Sequence, residues 1–327
     1  MEQEKIIAYK GLDENFRCRG FQYEVGKEYE EEVAKCCNKG FHACENPMDV
    51  WNYYGVSNSR FAIVEQFGKI DKQENKTCSS RIRIKAELKL AEFIKLCVDS
   101  LIEKCKVISK NDNLTDNGGD NAQIGSSGNS AQIGSSGNYA RIASSGNYAQ
   151  IASSGNSARI GSSGDYARIG SSGYNAQIGS SGNYARIGSS GYNARIGSSG
   201  NYAQIGSSGY NARIASSGYD AQIGSSGNYA RIASSGNSAQ IASSGNYARI
   251  ASSGNYARIE SEGQNAVIMC AGNQSKARAK KNSWITLAEY DSDNKPICVK
   301  TEQVDGERIK EDTWYSLVNG EFKEIEL

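Results

Sequence analysis

Residues 176–193 read AQIGSSGNYARIGSSGYN, two nine-residue units that differ at one Gln/Arg position and in the order of their last two residues. The unit recurs from Asn121 to about Asn273, with isoleucine at every ninth position from Ile124 to Ile268. A short fixed period is typical of a solenoid, in which each unit buries its apolar side chains only against its neighbours. Gly/Ser-rich sequence otherwise indicates a flexible linker, but the strict isoleucine register argues against that interpretation.

Each unit is predicted to form a short strand and a corner. Ala176 and Ile178 are two residues apart, so in a strand both point inwards while Gln177 points out. Ser-Ser-Gly follows, and we expect it to turn the chain. Gly182 would supply the positive φ of the turn, and the serine hydroxyls would satisfy turn backbone groups.

The order of the last two residues alternates, as in Asn183-Tyr184 and Tyr192-Asn193, which gives a second period of eighteen residues. Two units therefore form one coil, and residues eighteen apart should stack at ~4.8 Å, giving about eight coils and a rod about 40 Å long. This stacking predicts a tyrosine ladder of Tyr148, Tyr166, Tyr184 and Tyr202 on one side and an asparagine ladder of Asn175, Asn193 and Asn211 on the other.

The same period sorts the outward Arg/Gln position into two faces of different charge. One face carries Gln123, Arg141, Arg159, Gln177, Arg195, Arg213, Arg231 and Arg249. The other carries Gln132, Gln150, Arg168, Arg186, Gln204, Gln222, Gln240 and Arg258. We expect the basic face and the tyrosine ladder to form a binding surface for a macromolecule. The alternative is that Arg and Gln simply cover strand backbone and block lateral aggregation.

Composition excludes several function classes. Among 327 residues, Lys+Arg number 37, Asp+Glu 36 and histidine one. A net charge of +1 argues against a globally basic nucleic-acid binder, and one histidine excludes a multi-histidine metal cage. Calcium-binding nonapeptide repeats need an Asp in each unit. The units of this repeat lack it, so calcium is not expected. No phosphate-binding loop or nucleophile elbow occurs, and we expect no cofactor.

The sequence divides into three parts: residues 1–112, 113–273 and 274–327. The first has ordinary globular composition, with strand-like KIIAYKG and RFAIVEQFGKI, a short helix across ENPMDVWNYYG and apolar periodicity from Ala91 to Val107. The last part reads as strands joined by turns. We therefore expect a mainly β protein: a two-sided parallel β-solenoid flanked by a small N-terminal α+β domain and a C-terminal antiparallel β cap.

The cysteines allow two interpretations. Nine cysteines without a secretory signal or an apolar run long enough to span a membrane indicate reduced thiols in a cytoplasmic protein. Cys36, Cys37, His42 and Cys44, with Cys18 as a further ligand, form the one possible metal constellation, but their spacing matches no common zinc pattern. Packing of buried thiols is the alternative. His42 is also the only candidate general acid or base in the usual pKa range, although a lone histidine is more often a packed, hydrogen-bonded residue.

The segments YKGLDENFRCRGFQYEVGKEYE, GFHACENPMDVWNYY and RFAIVEQFGKI resemble an uncharacterised domain of bacteriophage and prophage proteins, in which repeats and a WITLAEY-type end sometimes follow. This resemblance implies a phage or mobile-element protein in the bacterial cytoplasm, and it brings no known activity.

The N-terminal part is more weakly similar to the ADP-ribosyltransferase superfamily. Tyr9-Lys10-Gly11, Gly40 to Cys44 with Tyr53-Tyr54, and Arg60 to Ile70 occur in the order of that family's strands and helix. Lys10 stands where the family has a dinucleotide-contacting His or Arg, and no Glu is assignable as the catalytic carboxylate. The resemblance implies a dinucleotide-binding fold.

The sequence favours a non-enzymatic binding or scaffold protein whose rigid solenoid presents an Arg/Tyr surface to a host protein or nucleic acid, interfering with a host or defence factor. The alternative is an ADP-ribosyltransferase-like enzyme, or a dinucleotide-binding pseudoenzyme, that the solenoid directs to its target. A plain structural spacer is a third hypothesis. The oligomeric state stays open.

Overall fold

A computed structural model describes residues 5–56, 59–73, 75–108 and 118–326. Elements are numbered in chain order. The N-terminal part contains seven strands, which are β1 Ile6–Leu12, β2 Arg17–Cys18, β3 Phe21–Gln22, β4 Glu28–Glu30, β5 Phe41–Ala43, β6 Arg60–Gln73 and β7 Lys76–Leu88. A 3-10 helix spans Pro47–Asn52, and helix α1 spans Leu90–Ile108. These elements confirm the predicted α+β character.

The N-terminal sheet is antiparallel, with strand order β1-β6-β7-β4 and β5 also paired to β7. The predicted short helix has Pro47 in its first turn, and the Asn46 side chain accepts from the Met48 N–H, as expected of an N-cap. One face of the sheet packs around Leu12, Val64 and Ile82, all fully buried.

The repeat forms two parallel sheets. The first consists of β8 Gln123–Ser126, β10 Arg141–Ser144, β12 Arg159–Ser162, β14 Gln177–Ser180, β16 Arg195–Ser198, β18 Arg213–Ser216, β20 Arg231–Ser234, β22 Arg249–Ser252 and β24 Val267–Cys270. The second consists of β9 Gln132–Ser135, β11 Gln150–Ser153, β13 Arg168–Ser171, β15 Arg186–Ser189, β17 Gln204–Ser207, β19 Gln222–Ser225, β21 Gln240–Ser243, β23 Arg258–Ser261 and β25 Lys276–Ala279. Each strand pairs in register with the strand eighteen residues away, which confirms the two-unit coil.

The interior of the coil is thin and apolar at its centre. The isoleucines of the repeat form one continuous buried column, and Ala185, Ala194 and their equivalents are fully buried. Parallel pairing continues through Lys276–Ala279, although the nonapeptide sequence pattern has ended before these residues.

The predicted role of the corner glycines is wrong. The repeat glycines have ordinary φ values, whereas the residue two positions later takes the left-handed conformation, as at Tyr184 (φ 56°) and Asn193 (φ 54°). Glycine is required instead because successive coils touch through their backbones. A Cβ on Gly200 would lie 1.9 Å from the carbonyl oxygen of Gly182, one coil below. Stacking, not turn geometry, therefore selects glycine.

Both predicted ladders are present. Tyr148, Tyr166, Tyr184 and Tyr202 stack with ring centroids 4.9–5.0 Å apart. On the opposite edge Asn193 Nδ2 donates to Asn175 Oδ1 at 3.2 Å. Where asparagine comes first at a corner, its side chain accepts from the backbone N–H one coil above, so side chains reinforce the stacking.

The C-terminal strands are β26 Trp284–Tyr290, β27 Pro296–Gln303, β28 Tyr315–Val318 and β29 Glu321–Glu324. They extend the two solenoid sheets with antiparallel pairs, β26 with β27 and β28 with β29. Asn319 and Gly320, both with positive φ, form the tight turn between β28 and β29. The predicted antiparallel cap is confirmed. No helix in the described part of the chain is both long enough and apolar enough to cross a bilayer.

Candidate binding surfaces

The N-terminal part does not extend the rod at its end but lies against its side, on the sheet of β9 to β25. Helix α1 and the 3-10 helix pack there on an outward column of small residues, which we call the covered channel. Its members are Gly134, Ala152, Gly170, Gly188, Gly206, Gly224 and Ala242. A Cβ on Gly206 would lie 3.1 Å from both Ile94 and Trp51. Glycine in the covered channel thus allows close docking of α1.

Polar contacts fix the position of the docked part. The Arg168 guanidinium lies 2.6 Å from the Asp49 carboxylate, and Arg186 donates a hydrogen bond to Asn52 Oδ1. Gln204 Nε2 donates to the Trp51 carbonyl at 2.9 Å. The less basic face of the sequence is therefore the face that the chain itself covers, because a buried arginine needs a partner whereas glutamine is more easily satisfied.

Asp49 is the charge partner of two largely buried arginines, Arg168 and Arg186. Its second neighbour, Arg186, lies 3.9 Å away and is about nine-tenths buried. Burial and the nearby Arg168 lower the pKa of Arg186 to about 10, and Asp49 opposes this shift. Among the described residues, Asp49 is thus the one carboxylate within 4.0 Å of both arginines.

The opposite sheet, β8 to β24, carries no described segment of the chain on its outer surface, which we call the free face. Its arginine row consists of Arg141, Arg159, Arg195, Arg213, Arg231 and Arg249, all exposed. None of these six has a described carboxylate within 4.0 Å, whereas Arg168 on the covered face does. Among the described residues, the free face therefore carries a row of positive charges without carboxylate partners, interrupted by Gln177 between Arg159 and Arg195.

A column of small residues runs parallel to the arginine row, and we call it the free channel. It consists of Gly125, Ala143, Gly161, Gly179, Gly197, Ala215, Ala233 and Ala251. A Cβ on Gly179 or Gly197 would meet no heavy atom within 4 Å. Together the row and the channel line one long, open groove.

The structure separates the two halves of the predicted Arg/Tyr surface. Arg195 begins its strand, whereas Tyr202 lies at the corner after the end of that strand, so the tyrosine ladder runs along the opposite edge of the free face. The edge beside the arginine row carries other tyrosines. These include Tyr174, Tyr192 and Tyr210, which stack at 5.3–5.4 Å, and Tyr229 and Tyr247. The cause is that each coil has two corners, and only one adjoins the arginines.

A pocket of about 570 Å³ lies in the N-terminal part. The three segments Tyr9–Gly11, Gly40–Cys44 and Tyr53–Tyr54 line it together. Lys10 is buried there, and its Nζ donates to the His42 carbonyl at 2.7 Å and lies over the Tyr23 ring. Burial lowers the pKa of Lys10.

His42 is a hydrogen-bonded residue of the pocket wall. Its Nε2 accepts from the Cys37 N–H at 3.0 Å. Burial, followed by the positive charges of Lys10 and Arg19, lowers the pKa of His42, so the imidazole is neutral near pH 7. With Nε2 already accepting, this geometry favours the packed interpretation over general base chemistry.

The cysteines do not converge on one point. No three His, Cys, Asp or Glu side chains within the described ranges are placed to hold a metal ion. Cys18 accepts from the Tyr54 hydroxyl, the Cys36 thiol contacts the Asp71 carbonyl, and exposed Cys37 contacts Lys76. Burial raises the pKa of Cys36 to about 11 and of Cys44 to about 12, which keeps both as thiols. The eight described cysteines are free thiols, and five of them are buried.

Sequence reasoning missed the docking of the N-terminal part, although a signal was present. Within the less basic face, the residue two positions after the Arg/Gln site is glycine in four consecutive coils, from Gly170 to Gly224. On the free face the longest run of glycine at this position is three coils, from Gly161 to Gly197.

Comparison with protein families matches residues 6–96 to a domain described as a domain of unknown function, DUF7666. The match covers the N-terminal sheet, the pocket and the first part of α1, and it leaves the solenoid outside. No curated protein and no solved structure matches the chain. The chain therefore combines a DUF7666 domain at residues 6–96 with a parallel β-solenoid of nine coils.

Proposed function

We propose that the protein is a non-enzymatic binding scaffold whose free face recognises an acidic macromolecule. The observation that carries this proposal is the contrast between the two faces. On the covered face Arg168 and Arg186 share Asp49, whereas the six arginines of the arginine row have no described acidic partner. Unpaired like charges stacked coil on coil repel one another, so an anionic partner would stabilise the row.

An acidic protein is favoured over nucleic acid as the partner. The free channel offers an apolar strip beside the charges, and a phosphate backbone has no apolar side to fill it. The tyrosines at the adjacent edge, such as Tyr192 and Tyr210, are also residues that protein interfaces favour. The resemblance of the N-terminal sequence to prophage proteins supports a host or defence protein of the bacterial cytoplasm as this partner.

The test is binding of poly-L-glutamate and of a DNA duplex, measured by fluorescence anisotropy at two salt concentrations. We expect the Arg195→Gln/Arg213→Gln variant to bind polyglutamate about 10-fold more weakly, because two of the central charges of the row are lost. Affinity should also fall with added salt.

The matched control is Lys27→Gln/Lys72→Gln, which removes the same net charge from exposed ion pairs of the N-terminal part. It should leave binding unchanged. An equal loss in this control would show that net charge alone is sensed, and tighter binding of the duplex than of polyglutamate would make nucleic acid the partner class.

The second candidate function is dinucleotide binding, with or without ADP-ribosyl transfer, by the N-terminal pocket. It is favoured by one observation, the convergence of Tyr9–Gly11, Gly40–Cys44 and Tyr53–Tyr54 on that pocket, although the last resembling segment, Arg60 to Ile70, does not line it. Glu31 is the only carboxylate among the lining residues, and it is ion-paired with Lys39 at 3.1 Å. We therefore expect binding without transfer.

Incubation of the full chain with radiolabelled nicotinamide dinucleotide and host lysate tests this candidate. Retention of the dinucleotide by the wild type but not by Lys10→Met, with no labelled protein, is the expected result. Neither retention nor labelling would remove the candidate.

A further inference from the structure

Helix α1 docks on the covered channel with one apolar side chain per coil. The side chains that approach successive glycines are three or four helix positions apart, while the glycines are eighteen residues apart. The pairs are Leu90 with Gly224, Ile94 with Gly206, Val98 with Gly188, and Leu101 with Gly170, each with 3.0–3.3 Å between the side chain and a Cβ built on the glycine. The helix therefore runs along the rod.

The match has a simple geometric cause. An α-helix rises about 5.4 Å per turn, and parallel strands lie about 4.8 Å apart, so a helix tilted slightly along the rod repeats nearly in step with the coils. Each coil then presents a notch between its outward Arg/Gln side chain and its corner. The notch accepts a side chain only where the channel residue is very small.

The free face repeats this arrangement without an occupant among the described residues. The free channel holds only Gly and Ala over eight coils, and its arginine row lies two residues before it in each strand. Nothing lies within 4 Å of a Cβ on Gly161, Gly179 or Gly197. The two faces differ in charge: three of the eight outward positions listed above are arginine on the covered side, against six of eight here.

We propose that the free channel binds an acidic amphipathic helix of a partner protein, which lies along the rod with its apolar side chains in successive notches and its carboxylates on the arginine row. This inference rests on the proposed function and specifies the partner's chemistry. The Asp49–Arg168 pair shows the same combination of a helical element, a glycine notch and a carboxylate on the covered face.

A second copy of this chain does not fit as the occupant. If two free faces packed together, their arginine rows would lie against each other and repel. Helix α1 of another copy already has its apolar face buried on its own solenoid, with Ile94 and Val98 fully buried. A separate acidic helix has neither difficulty.

The experiment uses the full chain and two synthetic peptides about 18 residues long, enough for a helix of about 27 Å. The patterned peptide has leucines at the spacing of Leu90, Ile94, Val98 and Leu101, with glutamate and alanine elsewhere. The scrambled peptide has the same composition but no apolar face. We expect the patterned peptide to bind at least about 10-fold more tightly than the scrambled one, since only it can place one leucine per coil.

Gly197→Leu blocks the free channel without touching the arginine row, because space is open around that residue. We expect it to weaken binding of the patterned peptide about 10-fold and to weaken polyglutamate binding much less, because polyglutamate has no apolar side chain to place in the channel. Circular dichroism checks that the variant folds, and Gly179→Leu provides an independent second block.

Equal binding of both peptides, unaffected by Gly197→Leu, would overturn the helix inference while leaving charge-driven binding in place. If neither peptide nor polyglutamate bound, the proposed function would fail as well. Tighter binding of a DNA duplex than of the patterned peptide would also overturn the inference.

Discussion

Gly200→Ala is expected to destabilise the solenoid by at least about 3 kcal/mol. The added methyl group would lie 1.9 Å from the carbonyl oxygen and 2.5 Å from the carbonyl carbon of Gly182. Both atoms belong to backbone whose neighbouring N–H groups, at Ser181 and Asn183, are hydrogen-bonded to the next coil below, so the clash cannot be relieved by moving a side chain. In a stacked repeat such a defect breaks the interface between neighbouring coils, which is where the stability of a solenoid resides.

Gly197→Ala is the matched control, three residues earlier in the same coil. A Cβ there has no heavy atom within 4 Å, and other coils carry alanine at the equivalent position, as at Ala215. We expect a change between zero and a gain of about 1 kcal/mol from the less flexible unfolded chain. Urea unfolding followed by circular dichroism compares the two variants. Similar midpoints for both would contradict the backbone-contact explanation.

Asp49→Asn is expected to weaken docking of the N-terminal part by about 3 kcal/mol. The substitution preserves shape but removes the only described carboxylate within 4.0 Å of Arg168 and Arg186, whose side chains are 23% and 12% exposed. Two guanidinium groups would then be held close together at the interface without a counter-charge. Hydrogen exchange of the α1 amides and limited proteolysis within α1 measure the loss.

Glu45→Gln is the control, because Glu45 lies four residues before Asp49 and its partner Lys72 is half exposed. We expect a change within about 0.5 kcal/mol. Arg168→Gln combined with Asp49→Asn should recover part of the lost docking, because it removes one uncompensated charge. Unchanged exchange in Asp49→Asn would show that apolar packing alone holds the interface.

The solenoid was predictable because the same pattern of inward and outward residues recurs in seventeen units. The isoleucine register gives the strand, and the alternation at Asn183-Tyr184 and Tyr192-Asn193 gives the two-unit coil. The role of glycine was not predictable from one unit alone. A turn glycine and a glycine in backbone contact look alike in sequence, and only the stacked coils show that Gly200 belongs to the second kind.

The docking of the N-terminal part was harder to predict because it depends on a comparison between faces. Within a single unit, Gly206 and Gln204 look like any other members of the repeat. Only a comparison with Gly197 and Arg195 on the other side shows that in this coil the outward position is neutral on one face and charged on the other. The segments that line the pocket stood out in the sequence by resemblance, but the sequence did not predict the pocket. Their environment, with Lys10 buried beside Tyr23, depends on long-range strand pairing that no local pattern encodes.

Each nine-residue unit carries the chain across half a coil, and this imposes a parity rule on the repeat number. Losing one unit would transfer every later residue to the other sheet, so the arginine row would break at the deletion and continue on the wrong side. The strands β26 and β28 would likewise meet the wrong sheets. Loss or gain of a pair preserves every partner. During evolution the rod can therefore change its length only by two units, or eighteen residues, at a time. Related proteins should differ from this one by an even number of nine-residue units.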